Sequence, residues 1–188
     1  MSIAMLSLAR RFSGCLTRFA KERRGLAALE FAMLLPMMMT LFLGSVEITT
    51  GVAIQRKVTL TARALADLSS QFTAIANADM TNILNASSDI IAPYASVQLQ
   101  SVVSELSVNA QGQATVVWSD TLNGTARAVG SVVTIPANLA VPNSYLLLGE
   151  ASYGYKPSYG YVVTGTLSLS DQIYMRPRQA NSVTRKNS

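Results

Sequence analysis

A long apolar run lies near the start of the 188-residue sequence. Between Leu26 and Val46 the only charged side chain is Glu30. These 21 residues, at about 1.5 Å each in a helix, reach roughly 31 Å, the thickness of the hydrocarbon core of a membrane. The pattern predicts a transmembrane helix over 26–47, because the run is longer than the apolar part of a cleavable secretory signal. Pro36 removes one backbone hydrogen bond from this helix and predicts a kink.

The pattern keeps a helical period beyond the apolar run. Over 54–75 a stripe of almost entirely apolar residues recurs every three or four positions, which is typical of an amphipathic helix with one buried face. No proline falls between 37 and 92, so the two segments are predicted to form one helix over about 26–76. The stripe is expected to be covered by the chain's own sheet or by a helix of a neighbouring subunit. Its members are Ile54, Val58, Thr61, Leu65, Leu68, Phe72 and Ile75.

A second, shorter helix is predicted over about 80–91. Asp79 is expected to cap its amino end, and Pro93 is expected to end it. After Pro93 the apolar positions alternate with polar ones, which is the period of a β-strand.

Turn signals divide the alternating part of the chain. Gln111-Gly112 is a plausible turn, and Asn123-Gly124 is the strongest short turn signal in the sequence. The predicted class is α+β: a long transmembrane and amphipathic helix, a short helix, and then an antiparallel β-sheet. Strands are predicted near 97–105, 114–118, 129–135, 144–155 and 160–170.

Composition narrows the classes of function. Apolar residues make up 49% of the chain and charged residues 13%, which is about half the charge of an ordinary soluble domain and favours a membrane segment over disorder. Because the chain has no histidine and one cysteine, it cannot hold a Ser-His-Asp triad, a Cys/His zinc site or an intrachain disulfide. We therefore expect no metal site, no cofactor and no enzymatic activity.

The positive charge is concentrated at the two ends of the sequence. Residues 1–25 carry a net charge of +5, residues 26–174 carry −4 and residues 175–188 carry +4. The central body therefore offers no basic face for nucleic acid. A basic block before an apolar run predicts that the amino terminus faces the cytoplasm.

The most informative motif is the junction between the basic block and the apolar run. Here Gly25 follows two arginines, and Glu30 stands five positions later among apolar residues. A lone carboxylate in a membrane helix costs a few kcal/mol and calls for compensation. A cut after Gly25 would give Leu26 a free α-amino group close to Glu30, and the two charges could then neutralise each other. A glycine before the bond also lets a protease approach the backbone closely.

This junction resembles the class III signal of type IV pilins and pseudopilins, and more narrowly the TadE/TadG-like pseudopilins of the tight-adherence (Flp/Tad) pilus system. Phe31 stands where major Flp pilins, which are much shorter, have tyrosine. TadG proteins are usually longer, so the resemblance favours a TadE-like minor component. The segments that carry it are Arg24–Ala32, Leu34–Pro36, Leu43–Glu47, Ala62–Leu68 and Tyr174–Arg178.

The resemblance implies a substrate and structural subunit. A prepilin peptidase would cut between Gly25 and Leu26 at the cytoplasmic face and leave 163 of the 188 residues. Glu30 and Phe31 would serve the pairing of the new amino terminus during assembly. The partners would be that peptidase, other Tad pilins or pseudopilins, and the inner-membrane pilus platform. The protein would cross the inner membrane once, with its sheet in the periplasm, and could also reach the pilus or the exterior.

The expected organisation has five parts, and several of its features keep two interpretations. Pro36 and Glu47 are candidates for packing between pilin helices, although Glu47 also suits a simple membrane boundary. The main alternative is an unprocessed bitopic inner-membrane protein whose periplasmic β domain binds a partner or ligand. The parts are a cleaved cytoplasmic leader at 1–25, the transmembrane helix at 26–47, a periplasmic helical segment at 48–92, the β domain at 93–175 and a basic flexible tail at 176–188.

Overall fold

The computed structural model describes residues 23–157, 160 and 165–186. Most of the expected leader and part of the strand expected near 160–170 lie outside these residues. The chain divides into two units, Met1–Val46 and Glu47–Ser188.

The first element is one uninterrupted helix, α1, at Arg23–Ser70. It confirms the prediction that the apolar run continues into the amphipathic stripe. The helix ends six residues earlier than expected, because the backbone N–H of Arg178 donates to the carbonyl oxygen of Ser70 at 2.9 Å. Ser70 also turns its own hydroxyl back onto the carbonyl of Asp67, a local bond that competes with further helix.

The second helix, α2, spans Asn77–Ile91. Asp79 lies within its first turn and is not the cap residue: its carboxylate accepts the backbone N–H of Ala76 at 3.2 Å. At the other end, the ammonium group of Lys57 donates to the carbonyl oxygens of Ile90 and Ala92 at 2.9 and 2.6 Å. These carbonyls have no partner within the helix, so a residue of α1 completes the end of α2.

The rest of Glu47–Ser188 forms a five-stranded antiparallel sheet, which together with the helices confirms the α+β class. The order in the sheet is β4-β3-β2-β5-β6, and a separate parallel pair joins β1 to β7. The turn at Gln111-Gly112 connects β2 to β3, and Gly112 adopts a φ of +79°. The strands are β1 Ala74–Ile75, β2 Leu99–Val108, β3 Ala114–Leu122, β4 Val132–Val133, β5 Ser144–Tyr155, β6 Leu167–Met175 and β7 Thr184–Arg185.

The helices pack on one face of the sheet, and the predicted stripe supplies much of that core. Ile54 and Val58 of α1 lie in one cluster with Leu99 and Ala151 of the sheet, while Leu65 lies in a second cluster with residues of α2, β2 and β5. The chain's own sheet therefore covers the stripe. Phe72 and Ile75 contribute to the same core from beyond the end of α1.

At Gly149 the sheet and α1 approach so closely that a side chain does not fit. A Cβ atom on Gly149 would overlap the backbone carbonyl oxygen of Ala62 and lie 2.9 Å from the backbone nitrogen of Ala66. Glycine on β5 and alanines on α1 therefore allow backbone to pack against backbone, a use of glycine that differs from its role in turns.

The basic segment expected to be a flexible tail is instead held to the folded unit over residues 178–186, which we call the strap. Backbone N–H groups of Thr184 and Lys186 donate to the carbonyls of Thr73 and Ile75 at 3.1 and 2.9 Å. Val183 is completely buried. The prediction of a flexible tail does not hold for the strap, because it rested on the polar composition, whereas residues 65 to 111 positions away hold this segment.

Candidate functional site

The expected cleavage residues lie in the first turns of the described part of α1. A Cβ atom on Gly25 would meet no described atom within 4 Å outside its chain neighbours and its own helix backbone, so packing against the described residues does not require this glycine. Leu26 is 59% exposed. Because both residues are helical, a protease that binds extended chain would have to unwind this turn, and glycine makes that cheaper by about 1 kcal/mol relative to alanine.

Glu30 and Phe31 are both exposed on the same helix. Leu26 and Glu30 are four residues apart, so they lie one above the other on one helix face. Among the side chains that the structure describes, no lysine or arginine forms an ion pair with Glu30. The carboxylate therefore stands in an apolar surface with its charge uncompensated by that part of the chain.

The helix surface up to Val46 is almost wholly apolar, with large side chains pointing outward. The helix is long and apolar enough to cross a membrane, and none of the side chains in its most apolar stretch is buried in the protein. In water such a surface would be unfavourable by about 25 cal/mol per Å². This is the surface expected of a membrane-anchored segment.

The two remaining predicted residues have different environments. Pro36 lies inside α1, and the hydroxyl of Thr40 donates to its carbonyl oxygen at 2.9 Å. Glu47 is buried in the folded unit, where the hydroxyl of Tyr155 donates to its backbone carbonyl at 3.2 Å. Burial, together with the charge of Glu47, raises the pKa of Tyr155.

The folded unit brings together two of the segments on which the family resemblance depends. Asp67, from Ala62–Leu68, forms an ion pair with the guanidinium of Arg178, from Tyr174–Arg178. One turn earlier, Ala62 and Ala66 of the same segment form the close approach to Gly149. The sequence identified both segments but did not predict their contact, and it did not predict the close approach at Gly149.

A buried carboxylate, Glu105, lies under the strap. One oxygen accepts the backbone N–H of Val183, and the other accepts the indole N–H of Trp118 at 3.0 Å. The indole N–H also reaches the carbonyl oxygen of Val183 at 2.7 Å. Burial raises the pKa of Glu105, and the two hydrogen bonds offset part of the rise. The available sequence signal was a charged residue at an inward position of an alternating strand.

An open polar groove of about 640 Å³ includes parts of β2, β5 and β6. Arg127 and Glu150 form a two-pronged ion pair in its wall, with both N···O distances at 2.7 Å. The groove is otherwise lined mainly by neutral hydroxyl and amide side chains, including Gln100, Thr125, Ser152 and Gln172.

Comparison with known proteins gives one family match. The model of the TadE-like protein family matches residues 25–67, a segment that begins at Gly25 and ends at the aspartate that pairs with Arg178. No curated protein and no solved structure matches the chain. The TadE-like family is a structural, non-enzymatic kind of protein associated with Tad pili. The chain thus carries a TadE-like segment at residues 25–67, consistent with a TadE/TadG-like protein of the Tad pilus system.

Proposed function

We propose that the protein is a minor pilin or pseudopilin-like structural component that takes part in assembling a Tad/Flp-type adherence pilus. A prepilin peptidase cuts it after Gly25, and the mature chain begins at Leu26. The observation that carries the proposal is the coincidence of three features at one junction: the family match begins at Gly25, the basic block ends directly before it and the apolar run of the sequence starts directly after it.

The position of Glu30 supports a role after the cut. The new α-amino group of Leu26 would stand about one helical turn from this carboxylate. In hydrocarbon such a pair is poorly screened, so loss of one partner leaves the other charge uncompensated. The same pairing can be made between neighbouring subunits, where it would set the register of one helix against the next.

Charge supports an orientation with the amino terminus in the cytoplasm. Six basic residues precede Leu26, whereas only Arg56 and Lys57 follow the apolar run closely. The folded unit would then lie in the periplasm, and its partners would be the peptidase, other Tad pilins and the inner-membrane platform.

Cleavage is tested by intact mass of the protein extracted from membranes of cells that contain the peptidase. We expect the wild type to begin at Leu26 and Gly25→Leu to keep residues 1–25. Since a Cβ atom at position 25 meets no described atom beyond its own helix, a block would reflect recognition by the peptidase rather than misfolding of the described part of the chain. Ala32→Leu, which enlarges another exposed position of the same helix, is the matched control and should be cut normally. A stable wild-type species that retains the leader would contradict the proposal and favour the unprocessed bitopic protein.

The role of Glu30 is tested by separating cleavage from assembly. Glu30→Gln keeps the shape of the side chain and removes its charge, so we expect normal cutting together with a large loss of pili and adherence. Glu30→Asp should retain part of the assembly. Native pilus numbers with Glu30→Gln would show that the carboxylate is only an interfacial residue of an anchor.

Orientation is tested with a thiol probe that does not cross the inner membrane. Val97 is 78% exposed in the folded unit, so Val97→Cys in a Cys15→Ser background offers one accessible thiol. Labelling in spheroplasts supports a periplasmic folded unit, and labelling only after lysis contradicts it.

A further inference from the structure

Besides the pairing of β7 with β1, side chains attach the strap to the folded unit at both of its ends and at its centre. At one end Arg178 binds Asp67 and the carbonyl of Ser70. At the other end Arg185 forms an ion pair with Asp120 at 2.9 Å. Between them, Val183 is buried with both of its peptide groups engaged, the N–H by Glu105 and the carbonyl by Trp118.

The central attachment of the strap contains the buried carboxyl group of Glu105, which has no cation paired with it among the described side chains. Glu105 is 1% exposed, and both hydrogen bonds to its carboxylate come from uncharged donors. Among the described side chains, no lysine or arginine nitrogen lies within ion-pair distance of it. Burying an ionised carboxylate without a cation is costly, and the group favours the protonated form instead.

The groups around Glu105 do not supply the missing charge. On β3, Asp120 shares the adjoining cavity, but its charge is matched by Arg185 of the strap through two hydrogen bonds. On β5, Tyr145 contributes a phenol to the same cavity. The two helices contribute apolar side chains to the core around Trp118 and Val183, namely Leu65, Met80, Ile83 and Leu84.

The geometry points to a proton-dependent latch: the strap is held most tightly when Glu105 carries a proton, and it loosens when Glu105 is ionised. Release of the strap would expose Trp118, the edge of β1 and the last turn of α1. This inference rests on contacts within Glu47–Ser188 and is independent of whether the chain is cut after Gly25.

The direction of the effect follows from linkage. Burial raises the pKa of Glu105 in the docked state above its ordinary value of 4.5. Release of the strap would return this side chain to water and remove the rise, so the docked state binds more protons than the released state. Docking is therefore strongest below pH 4.5 and weakens as the pH rises through the docked pKa. Each unit of difference between the two pKa values corresponds to about a tenfold change in the docking equilibrium.

The test is hydrogen exchange of the full chain in detergent, read by mass spectrometry on peptides that cover the strap, between pH 5 and pH 8. After correction for the intrinsic exchange rate, we expect strap protection to fall on going to pH 8 by on the order of tenfold for each unit of pKa difference. Peptides of β5 serve as the internal reference and should keep their protection. Equal strap protection at all pH values in the wild type would overturn the latch.

Three variants assign the titrating group. Glu105→Gln should abolish the pH dependence, whereas Asp120→Asn, which removes the other carboxylate of the cavity, should weaken the strap at every pH and keep the dependence. If Glu105→Gln does not fold, Trp118→Phe decides instead. It removes one donor to the carboxylate, so the transition should move to higher pH. An unchanged transition in Trp118→Phe, or loss of the dependence in Asp120→Asn, contradicts the assignment to Glu105.

Discussion

The two parts of the continuous helix α1 differ in where their apolar side chains lie. From Leu26 to Phe42 the large apolar side chains are exposed on the surface of the helix. From Glu47 to Ser70 one stripe is buried under the sheet, and the remaining positions are mostly polar or half-buried, with Ile48, Val52 and Leu60 as exposed apolar exceptions. The comparison teaches that the same helical period serves two environments, and that only the second part gains its stability from the chain's own core.

The largest loss of stability is expected at Gly149, where the backbone of β5 packs directly against the backbone of α1. Gly149→Ala would push a methyl group against backbone atoms of Ala62 and Ala66, which cannot turn aside as a side chain can. We expect a loss of about 3 kcal/mol in the free energy of unfolding, at the upper end of what overpacking typically costs. Denaturant unfolding in detergent, followed by fluorescence of the single tryptophan, Trp118, measures it.

The matched control lies on the same strand. Among the described atoms, a Cβ atom on Gly154 meets only the Thr166 methyl, at 3.5 Å, which is an ordinary contact. Gly154→Ala should change stability by at most about 1 kcal/mol. Equal losses at the two glycines would show that the close approach to α1 is unimportant.

A pair of leucine truncations compares the two parts of α1 directly. Leu65 is 1% exposed, and Leu65→Ala should cost about 3 kcal/mol because it leaves a cavity in the core. Leu34 is 55% exposed, and Leu34→Ala should leave unfolding of the folded unit within about 0.5 kcal/mol of wild type. Trp118 fluorescence reports both, and a similar cost for the two would contradict the distinction between the two parts.

Two neighbouring cations sharpen the comparison between the inner and outer faces of α1. Lys57→Met removes the ammonium that completes the end of α2 and should cost about 1–2 kcal/mol, the range for hydrogen bonds to a charged group. Arg56 is exposed, so Arg56→Met should be nearly neutral. The urea midpoints of the two variants, compared at equal m-value, measure the two losses of stability. A larger loss for Arg56→Met than for Lys57→Met would contradict the role of Lys57 at the end of α2.

The smallest effect is expected at the outer attachment of the strap. The side chains of Arg178 and Asp67 are 58% and 34% exposed, so water and salt screen their ion pair. Arg178→Ala should cost about 0.5 kcal/mol or less, and the loss should shrink at high salt. Stability measured at low and at about 0.5 M salt checks this. A loss of several kcal/mol would mean that the ion pair, rather than buried Val183, holds the strap.

The positions of Asp79 and the strap show where sequence reasoning stopped. A capping carboxylate and a helix start were expected at the correct turn of the chain, but the helix begins two residues before Asp79 because that carboxylate reaches back to Ala76. The strap is rich in polar and basic residues, and its attachment depends on Glu105, Trp118 and Asp120, which are far away in sequence. Local composition therefore does not predict those contacts.

By itself, the sequence determined the order of the elements, the long apolar helix, the buried stripe that follows it and the residues at Gly25 that point to a pilin-type signal. These features depend on the spacing of apolar residues and on local charge, both of which involve residues that are close together in the sequence. Only the tertiary structure decided that β5 must carry glycine at 149, that Ser70 ends α1, and that Glu105 is buried beneath the strap. Each of these depends on atoms brought together from distant parts of the chain, where close packing and the loss of water set the energy.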